Sequence, residues 1–212
     1  RPTGRSGLLA ISIDEFARYF AQGQGQLWER QALCKARVVH GSSRAAKLTI
    51  RAVGHAAFDH RWRRSDAEEV RRMRHRLEKT AAEQDLKRGP GGIVDVEFLV
   101  QMLQLKHGRQ VPEIRTPNTL DALGRLRGEG LLPNDHAYML DHAYRCLRAI
   151  EGRLSLMNAT HRNRLPNDPT ELSKLAHLLK YPRADALLAD FDRITRETRQ
   201  LFNDTFEAAD RS

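Results

Sequence analysis

The sequence is short of cysteine, of aromatic residues and of long apolar runs. Its 212 residues include only two cysteines, Cys34 and Cys146, too few for a disulfide framework or a Cys-x-x-Cys zinc knuckle. We expect both thiols to be buried and unreactive. No run approaches the ~20 apolar residues that a membrane span needs, and the first residues form no secretory h-region. These absences predict a folded protein of the reducing cytoplasm, without a membrane partner.

Familiar catalytic motifs are missing as well. The sequence has no Walker A motif, no Gly-x-Gly-x-x-Gly motif and no Gly-x-Ser-x-Gly nucleophile elbow. Its nine histidines are scattered without the His-Glu-x-x-His spacing of a zinc site. We therefore expect no metal ligand in this chain.

Positive charge is in excess. The 36 basic and 27 acidic residues give a formal net charge of +9, which suggests a polyanionic partner. The acids, however, are interleaved with the cations, a pattern typical of solvated helix faces. We do not expect nucleic acid as a partner, although a non-enzymatic basic helical module that binds RNA or DNA remains an alternative. Its affinity would fall steeply with salt.

Helical periodicity and capping signals dominate from about residue 43 onward. A Ser65-Asp66-Ala67-Glu68 capping box predicts a helix with an apolar stripe at Val70, Met73 and Leu77. Further helices are predicted at 134–158, 168–179 and 184–206. Short polar loops separate these segments, and they predict a mostly antiparallel helix bundle.

The first forty residues have a different pattern. Residues 8–11 and 33–40 are predicted as strands, and a capping box at Ser12 predicts a helix between them, ending near Ala21. Two strands cannot bury their own faces, so they look like the edge of a larger α/β domain. The predicted fold class is mainly α, a helical bundle at 43–212 preceded by a short α/β remnant at 1–42.

The most informative segment surrounds the glycines at 89–92. Its glycines and proline precede an apolar run, which predicts a tight loop at a helix N-terminus. Backbone N–H groups and the helix dipole there favour an anion, and Lys87 and Arg88 add positive charge. In the alternative, weighted equally, Asp95 and Glu97 complement the dipole and the glycines let the backbone pass close to a neighbour.

Asp95 and Glu97 are also candidates for a metal-binding pair, since two-metal nucleotidyl transfer needs carboxylates that converge. On a helix, positions two apart point about 200° away from each other, so we reject this pair as a metal site. The opening segment, residues 1–7, has two arginines and two glycines that suit a phosphate. A plain surface turn is the alternative there.

Three ordered motifs resemble the glutamine synthetase adenylyltransferase family. They are the Arg-Pro-Thr-Gly-Arg-Ser-Gly-Leu-Leu run at 1–9, the segment 28–39 and the segment 86–101. The resemblance implies two nucleotidyltransferase units, each followed by a helical bundle, and a regulatory region that responds to the PII protein and glutamine. One unit would attach AMP from ATP to a tyrosine of glutamine synthetase, and the other would remove it by phosphorolysis.

In that family a Gly-Ser motif followed by Asp-x-Asp, and a further Asp just before the Arg-Pro, hold two Mg²⁺ ions. This sequence contains no such set, so we interpret it as a fragment that has no catalytic or metal-binding residues and is inactive alone. The resemblance places Arg1 and Arg5 near the active-site rim. From the Gly-rich helix start we add the hypothesis that a second group faces the cleft and helps to seat nucleotide or target: Lys87, Arg88, Gly91, Gly92, Asp95 and Glu97.

The two halves of the enzyme share the Gly-Gly helix motif, so this motif does not show which half the chain represents. The segment 148–154 favours the C-terminal half, which attaches AMP. A related PII uridylyltransferase has the same plan and is the nearer alternative, but Trp28-Glu29 and Asp95-x-Glu97-Phe98 favour the adenylyltransferase.

Overall fold

The computed structural model describes residues 10–158 and 163–211 of the chain. Over that part it consists of α-helices and one 3-10 turn, Pro112–Ile114. The helices are α1 Ile13–Ala21, α2 Leu27–Leu33, α3 Ser43–Phe58, α4 Arg64–Glu78, α5 Ile93–His107, α6 Thr119–Gly128, α7 Asn134–Asn158, α8 Pro169–Leu178 and α9 Ala184–Arg211. The predicted mainly α fold, a helical bundle, is confirmed. None of the described helices combines the length and apolarity that crossing a bilayer requires.

The predicted strand at 33–40 is wrong. Leu33 ends α2, and the next residues continue as turns, with the Cys34 N–H donating to the Gln31 carbonyl. Val39 is 83% exposed, and no strand lies beside it in the described residues. An apolar pair without a partner strand gains nothing from an extended conformation. Of the other predicted strand, residues 8 and 9 lie outside the described part, and Ala10 and Ile11 are not extended in a sheet.

Helix α5 lies at the centre of the bundle. Eleven of its 15 residues are buried, and it packs against α2, α3, α4, α6, α7 and α9. A helix that is apolar on all sides is stable only when other elements surround it. Its buried Gln104 donates from Nε2 to the carbonyls of Ile114 and Thr116, at 2.8 and 2.9 Å. This amide ties the 3-10 turn that follows α5 to the helix through two backbone carbonyls.

Helix α4 begins two residues earlier than its predicted cap indicates. The N-cap is Arg63 rather than Ser65, and the Asp66 carboxylate accepts the Arg63 backbone N–H at 2.8 Å. The buried face is also rotated from the predicted stripe, because Arg74 is buried and Leu77 is 38% exposed. An arginine that lies outside the predicted stripe is therefore part of the buried face.

The remaining helices agree closely with their sequence signals. Ser12 and Glu15 form the predicted capping box of α1. Asp168 accepts the Glu171 N–H at the start of α8, with Pro169 in the first turn. Helices α7 and α9 pack against each other and contribute long rows of buried apolar residues to one core.

Gly91 fixes the close approach of the loop to α9. Its φ is +72°, a left-handed conformation that favours glycine, and a Cβ there would overlap the Thr195 carbonyl oxygen of α9. Gly130 has a similar φ of +68°, but a Cβ there would meet no atom within 4 Å. Substitution of Gly130 therefore tests backbone strain alone, whereas substitution of Gly91 tests backbone strain together with steric overlap.

We expect Gly91→Ala to lower the free energy of unfolding by about 2–5 kcal/mol, the sum of left-handed strain and overpacking. Gly130→Ala should cost only the strain, about 1–2 kcal/mol. Urea unfolding followed by circular dichroism measures both. Equal costs for the two substitutions would contradict the packing assigned to Gly91.

Candidate functional site at the amino end of the central helix

The loop before α5 is folded on its own backbone. The Asp85 carboxylate accepts the N–H groups of Lys87 and Arg88, both at 2.8 Å. The Ile93 and Val94 N–H groups, at the start of α5, donate to the carbonyls of Leu86 and Lys87, both at 3.0 Å. The loop carbonyls therefore satisfy donors that a helix N-terminus usually leaves free.

The anion at this helix N-terminus belongs to the chain itself. The Asp95 carboxylate is fully buried and accepts the Gly91 N–H at 2.6 Å. It forms ion pairs with Arg74 Nε of α4 and, at 3.2 Å, with Arg199 Nη1 of α9. Of the two alternatives for this loop, the geometry at Asp95 favours the one in which the carboxylate complements the helix dipole and the glycines permit a close approach.

Arg74 is the counterpart of Asp95 and is fully buried as well. Its Nη2 donates to the carbonyls of Arg88 and Gly89, at 2.9 and 2.8 Å. Its Nη1 lies 3.3 Å from Glu78, which also pairs with Arg199 at 3.0 Å. We call these four residues, Arg74, Glu78, Asp95 and Arg199, the Asp95 cluster. Two cations and two anions balance in it, which is how buried charge is tolerated.

Burial and charge act in opposite directions on Asp95. Burial has the largest effect and raises the pKa of the Asp95 carboxyl above its ordinary value, because it disfavours the charged form. Arg74, then Arg199, and then the Gly91 N–H oppose that rise. Replacement of either arginine would therefore remove one of the two positive charges that favour the ionised carboxylate.

Glu97 lies on the other side of α5 in a second polar cluster. Its Oε1 accepts from Tyr144 OH at 2.9 Å, from Arg148 Nη2 at 3.2 Å and from Lys35 Nζ at 3.4 Å. Lys35 Nζ also donates to Thr119 Oγ1 at 2.6 Å. We call these five residues the Glu97 cluster. It joins the end of α2 to α5, α6 and α7 and is partly open to solvent, with Arg148 41% exposed.

The predicted site residues are therefore not brought to one place. Asp95 and Glu97 belong to separate clusters on opposite sides of α5, as the helical geometry predicted, and they do not converge as a two-metal magnesium site requires. Gly91 and Gly92 are buried, Lys87 is half-buried and Arg88 is exposed. Arg1 and Arg5 lie outside the described residues.

Sequence reasoning missed the partners of both carboxylates. Arg74 could have been found from its position, because it lies four residues after Val70 on the buried face of α4. Arg199, Lys35 and Tyr144 come from distant helices, and no local pattern indicates them. Several of the cations that suggested a polyanionic partner are paired with acids one helical turn away, as in Arg72 with Glu68 and Arg145 with Asp141.

Comparison with known proteins gives two family matches that divide the chain. Residues 1–52 match the model described as glutamate-ammonia ligase adenylyltransferase, and residues 60–206 match the model described as GlnD PII-uridylyltransferase. Both descriptions name nucleotidyltransferases. The fold and these matches define the class: a helical domain of the kind found in nucleotidyltransferases that act on other proteins.

Relatives that span both segments are bifunctional glutamine synthetase adenylyltransferase/adenylyl-removing enzymes. That of Leifsonia xyli is 35% identical over 97% of this chain and 21% of its own length. Those of Streptomyces avermitilis and Mycobacterium tuberculosis are 36% and 34% identical, each over 88% of this chain and over 19% and 20% of their own lengths. The chain belongs to the glutamine synthetase adenylyltransferase family, and it spans about a fifth of the length of these curated relatives.

The two carboxylates of α5 differ in burial, so we expect their removal to have different effects on the free energy of unfolding. We expect Asp95→Asn to lower the free energy of unfolding by about 3–5 kcal/mol, because it leaves the fully buried Arg74 and the partly buried Arg199 to share Glu78 as a counterion. The matched change Glu97→Gln should cost about 1 kcal/mol, because the Glu97 cluster is partly hydrated. Chemical denaturation at neutral pH measures both. A cost for Asp95→Asn no larger than that for Glu97→Gln would contradict this assignment.

Proposed function

We propose that this chain is the helical scaffold beside a nucleotidyltransferase unit in an enzyme that transfers AMP from ATP to a tyrosine of glutamine synthetase. In its other half, the same enzyme would remove that AMP by phosphorolysis. The activities for which the relatives are named support this proposal. The carboxylates that bind Mg²⁺ would come from a part of the enzyme other than this chain, and we propose that the chain alone is inactive.

The proposed scaffold role rests on contacts between the two matched segments of the chain. Lys35 lies in the segment that matches the adenylyltransferase model, and Glu97 and Thr119 lie in the segment that matches the PII-uridylyltransferase model. Lys35 Nζ lies 3.4 Å from Glu97 Oε1 and 2.6 Å from Thr119 Oγ1. A second link runs from Gln31 Nε2 to Gln101 Oε1 of α5, at 2.8 Å. These links would transmit the position of the rigid bundle to the nucleotidyltransferase unit, and positioning is a large part of catalysis in group transfer.

We place the boundary between the two units at 42/43, so that residues 1–42 would belong to the nucleotidyltransferase unit and 43–212 to the bundle. We also assign the chain to the half that attaches AMP. The working enzyme would act in the cytoplasm with ATP and Mg²⁺ and would respond to PII through other regions.

We further propose that the loop at 87–92 lies at the edge of the catalytic cleft. Arg88 is exposed, and the arrangement of its backbone is fixed by Asp85 and Arg74. A loop held this firmly can present Lys87 and Arg88 to a phosphate or to an acidic surface of glutamine synthetase without loss of further backbone entropy. In this proposal Gly91, Gly92 and Asp95 shape the loop from inside, and Arg1 and Arg5 approach it from the nucleotidyltransferase unit.

The test of the scaffold role is a chimaera of the Leifsonia xyli relative in which residues 1–212 replace the matching segment. We expect the chimaera to transfer labelled AMP from ATP to glutamine synthetase, while the isolated chain turns over no ATP in the presence of Mg²⁺. Turnover by the isolated chain would contradict the proposal. A folded chimaera that binds ATP but transfers nothing would contradict it as well.

The test of the loop is a pair of substitutions in that chimaera. Lys87→Ala with Arg88→Ala should lower the rate of AMP transfer by about tenfold, which corresponds to about 1.4 kcal/mol of transition-state stabilisation. Lys174→Ala with Arg196→Ala removes two exposed cations elsewhere in the bundle and should leave the rate unchanged. Equal effects of the two double variants on the rate of AMP transfer would contradict the proposed position of the loop at the edge of the cleft.

A further inference from the structure

Three side chains with metal-ligating atoms, a soft thiol, a borderline imidazole and a hard carboxylate, meet where α7 packs against α9. His142 and Cys146 lie one helical turn apart on α7, and Asp190 lies on α9. One ligand atom from each falls within 4.8 Å of the other two. Sequence reasoning predicted no metal ligand here, because the scattered histidines lack the His-Glu-x-x-His spacing of a zinc site, and the third residue comes from another helix. The prediction that Cys146 is buried is wrong, because this residue is half-buried.

The distance between the two α7 ligands matches a tetrahedral zinc centre. His142 Nε2 lies 3.6 Å from Cys146 Sγ. In a tetrahedral site with Zn–S of about 2.3 Å and Zn–N of about 2.05 Å, the sulfur and nitrogen are separated by about 3.6 Å. The third ligand atom, a carboxylate oxygen of Asp190, comes from the neighbouring helix α9.

Asp190 is held as a metal-ligating carboxylate is usually held. Its Oδ2 accepts from Tyr181 OH at 2.5 Å, and its Oδ1 accepts from Arg193 Nη2 at 2.5 Å. Each oxygen accepts one hydrogen bond and so retains a lone pair. Outer hydrogen bonds of this kind orient ligands in metal sites. Burial raises the pKa of Asp190, but the hydrogen bonds from Tyr181 and Arg193 outweigh it and lower the pKa overall, which keeps the carboxylate ionised.

Cys146 would be a thiol in the absence of an ion. Burial, and then the charge of Asp190, raise the pKa of Cys146, while Arg193 acts in the opposite direction. A transition-metal ion would displace the thiol proton and supply positive charge between the thiolate and the carboxylate. The other cysteine, Cys34, is buried away from this group, and burial raises its pKa to about 12.

We propose that His142, Cys146 and Asp190 bind a divalent transition-metal ion of the zinc type. The thiolate and imidazole favour Zn²⁺ over Mg²⁺ or Ca²⁺, which prefer oxygen ligands alone. The ion links α7 to α9, and three protein ligands leave one tetrahedral position for water or for a ligand from a partner. This site is independent of the AMP-transfer proposal, because it lies outside both the Asp95 cluster and the Glu97 cluster.

The experiment uses the 212-residue chain, free of any histidine tag. Zn²⁺ affinity is measured by competition with a chromophoric chelator, and Co²⁺ is added separately to look for the thiolate-to-cobalt charge-transfer band. We expect one Zn²⁺ per chain, a cobalt–thiolate band, and protection of Cys146 from alkylation by bound Zn²⁺. Cys146→Ser and His142→Ala should each lower the affinity at least tenfold, and Tyr181→Phe should lower it by about 10–100-fold as an outer partner.

The matched control is His136→Ala, which removes a partly exposed histidine of the same helix that lies outside the group. It should leave Zn²⁺ affinity and the cobalt band unchanged. The circular dichroism of each variant reports whether the fold is intact, and Cys146→Ser keeps the side-chain size if His142→Ala unfolds. Absence of a cobalt–thiolate band in the parent chain, or an equal loss of affinity in His136→Ala, would overturn the proposal.

Discussion

A buried ion pair at the amino end of the central helix is the contact on which this structure depends most. Arg74 and Asp95 are both fully buried, so each would carry a large desolvation cost without the other. The pair joins α4 to α5, and Arg199 extends it to α9. The same carboxylate holds the glycine loop through the Gly91 N–H. The glycine-rich motif and the acidic residue after it are therefore parts of one packing arrangement.

Much of the helical architecture was predictable, because helix ends carry local chemistry. The Ser12 capping box and the Asp168 cap of α8 begin their helices where the sequence indicates. The strand at 33–40 was not predictable in this way, because a strand depends on a neighbour and a short apolar pair such as Val38-Val39 carries no information about one. The predicted apolar stripe of α4 differs from the buried face for a similar reason. The burial of Arg74 depends on Asp95, which lies in another helix.

The candidate site was also predictable only in part. The opposite orientation of Asp95 and Glu97 followed from helical geometry alone. Their partners did not, because Arg199 and Tyr144 are brought to them only by tertiary packing. The family relationship adds what geometry cannot, namely that the segment around Lys35 and the bundle around Glu97 occur together in adenylyltransferases. The contact between them gives that association a physical basis.

The most direct test of the central claim is a double-mutant cycle between Arg74 and Asp95, with Arg74→Met and Asp95→Asn made singly and together. Unfolding free energies at neutral pH give the coupling between the two side chains. We predict a coupling of about 2–3 kcal/mol, because the second substitution removes a charge that the first has already stranded. Additive costs, within about 0.5 kcal/mol, would contradict the dependence of the bundle on this pair.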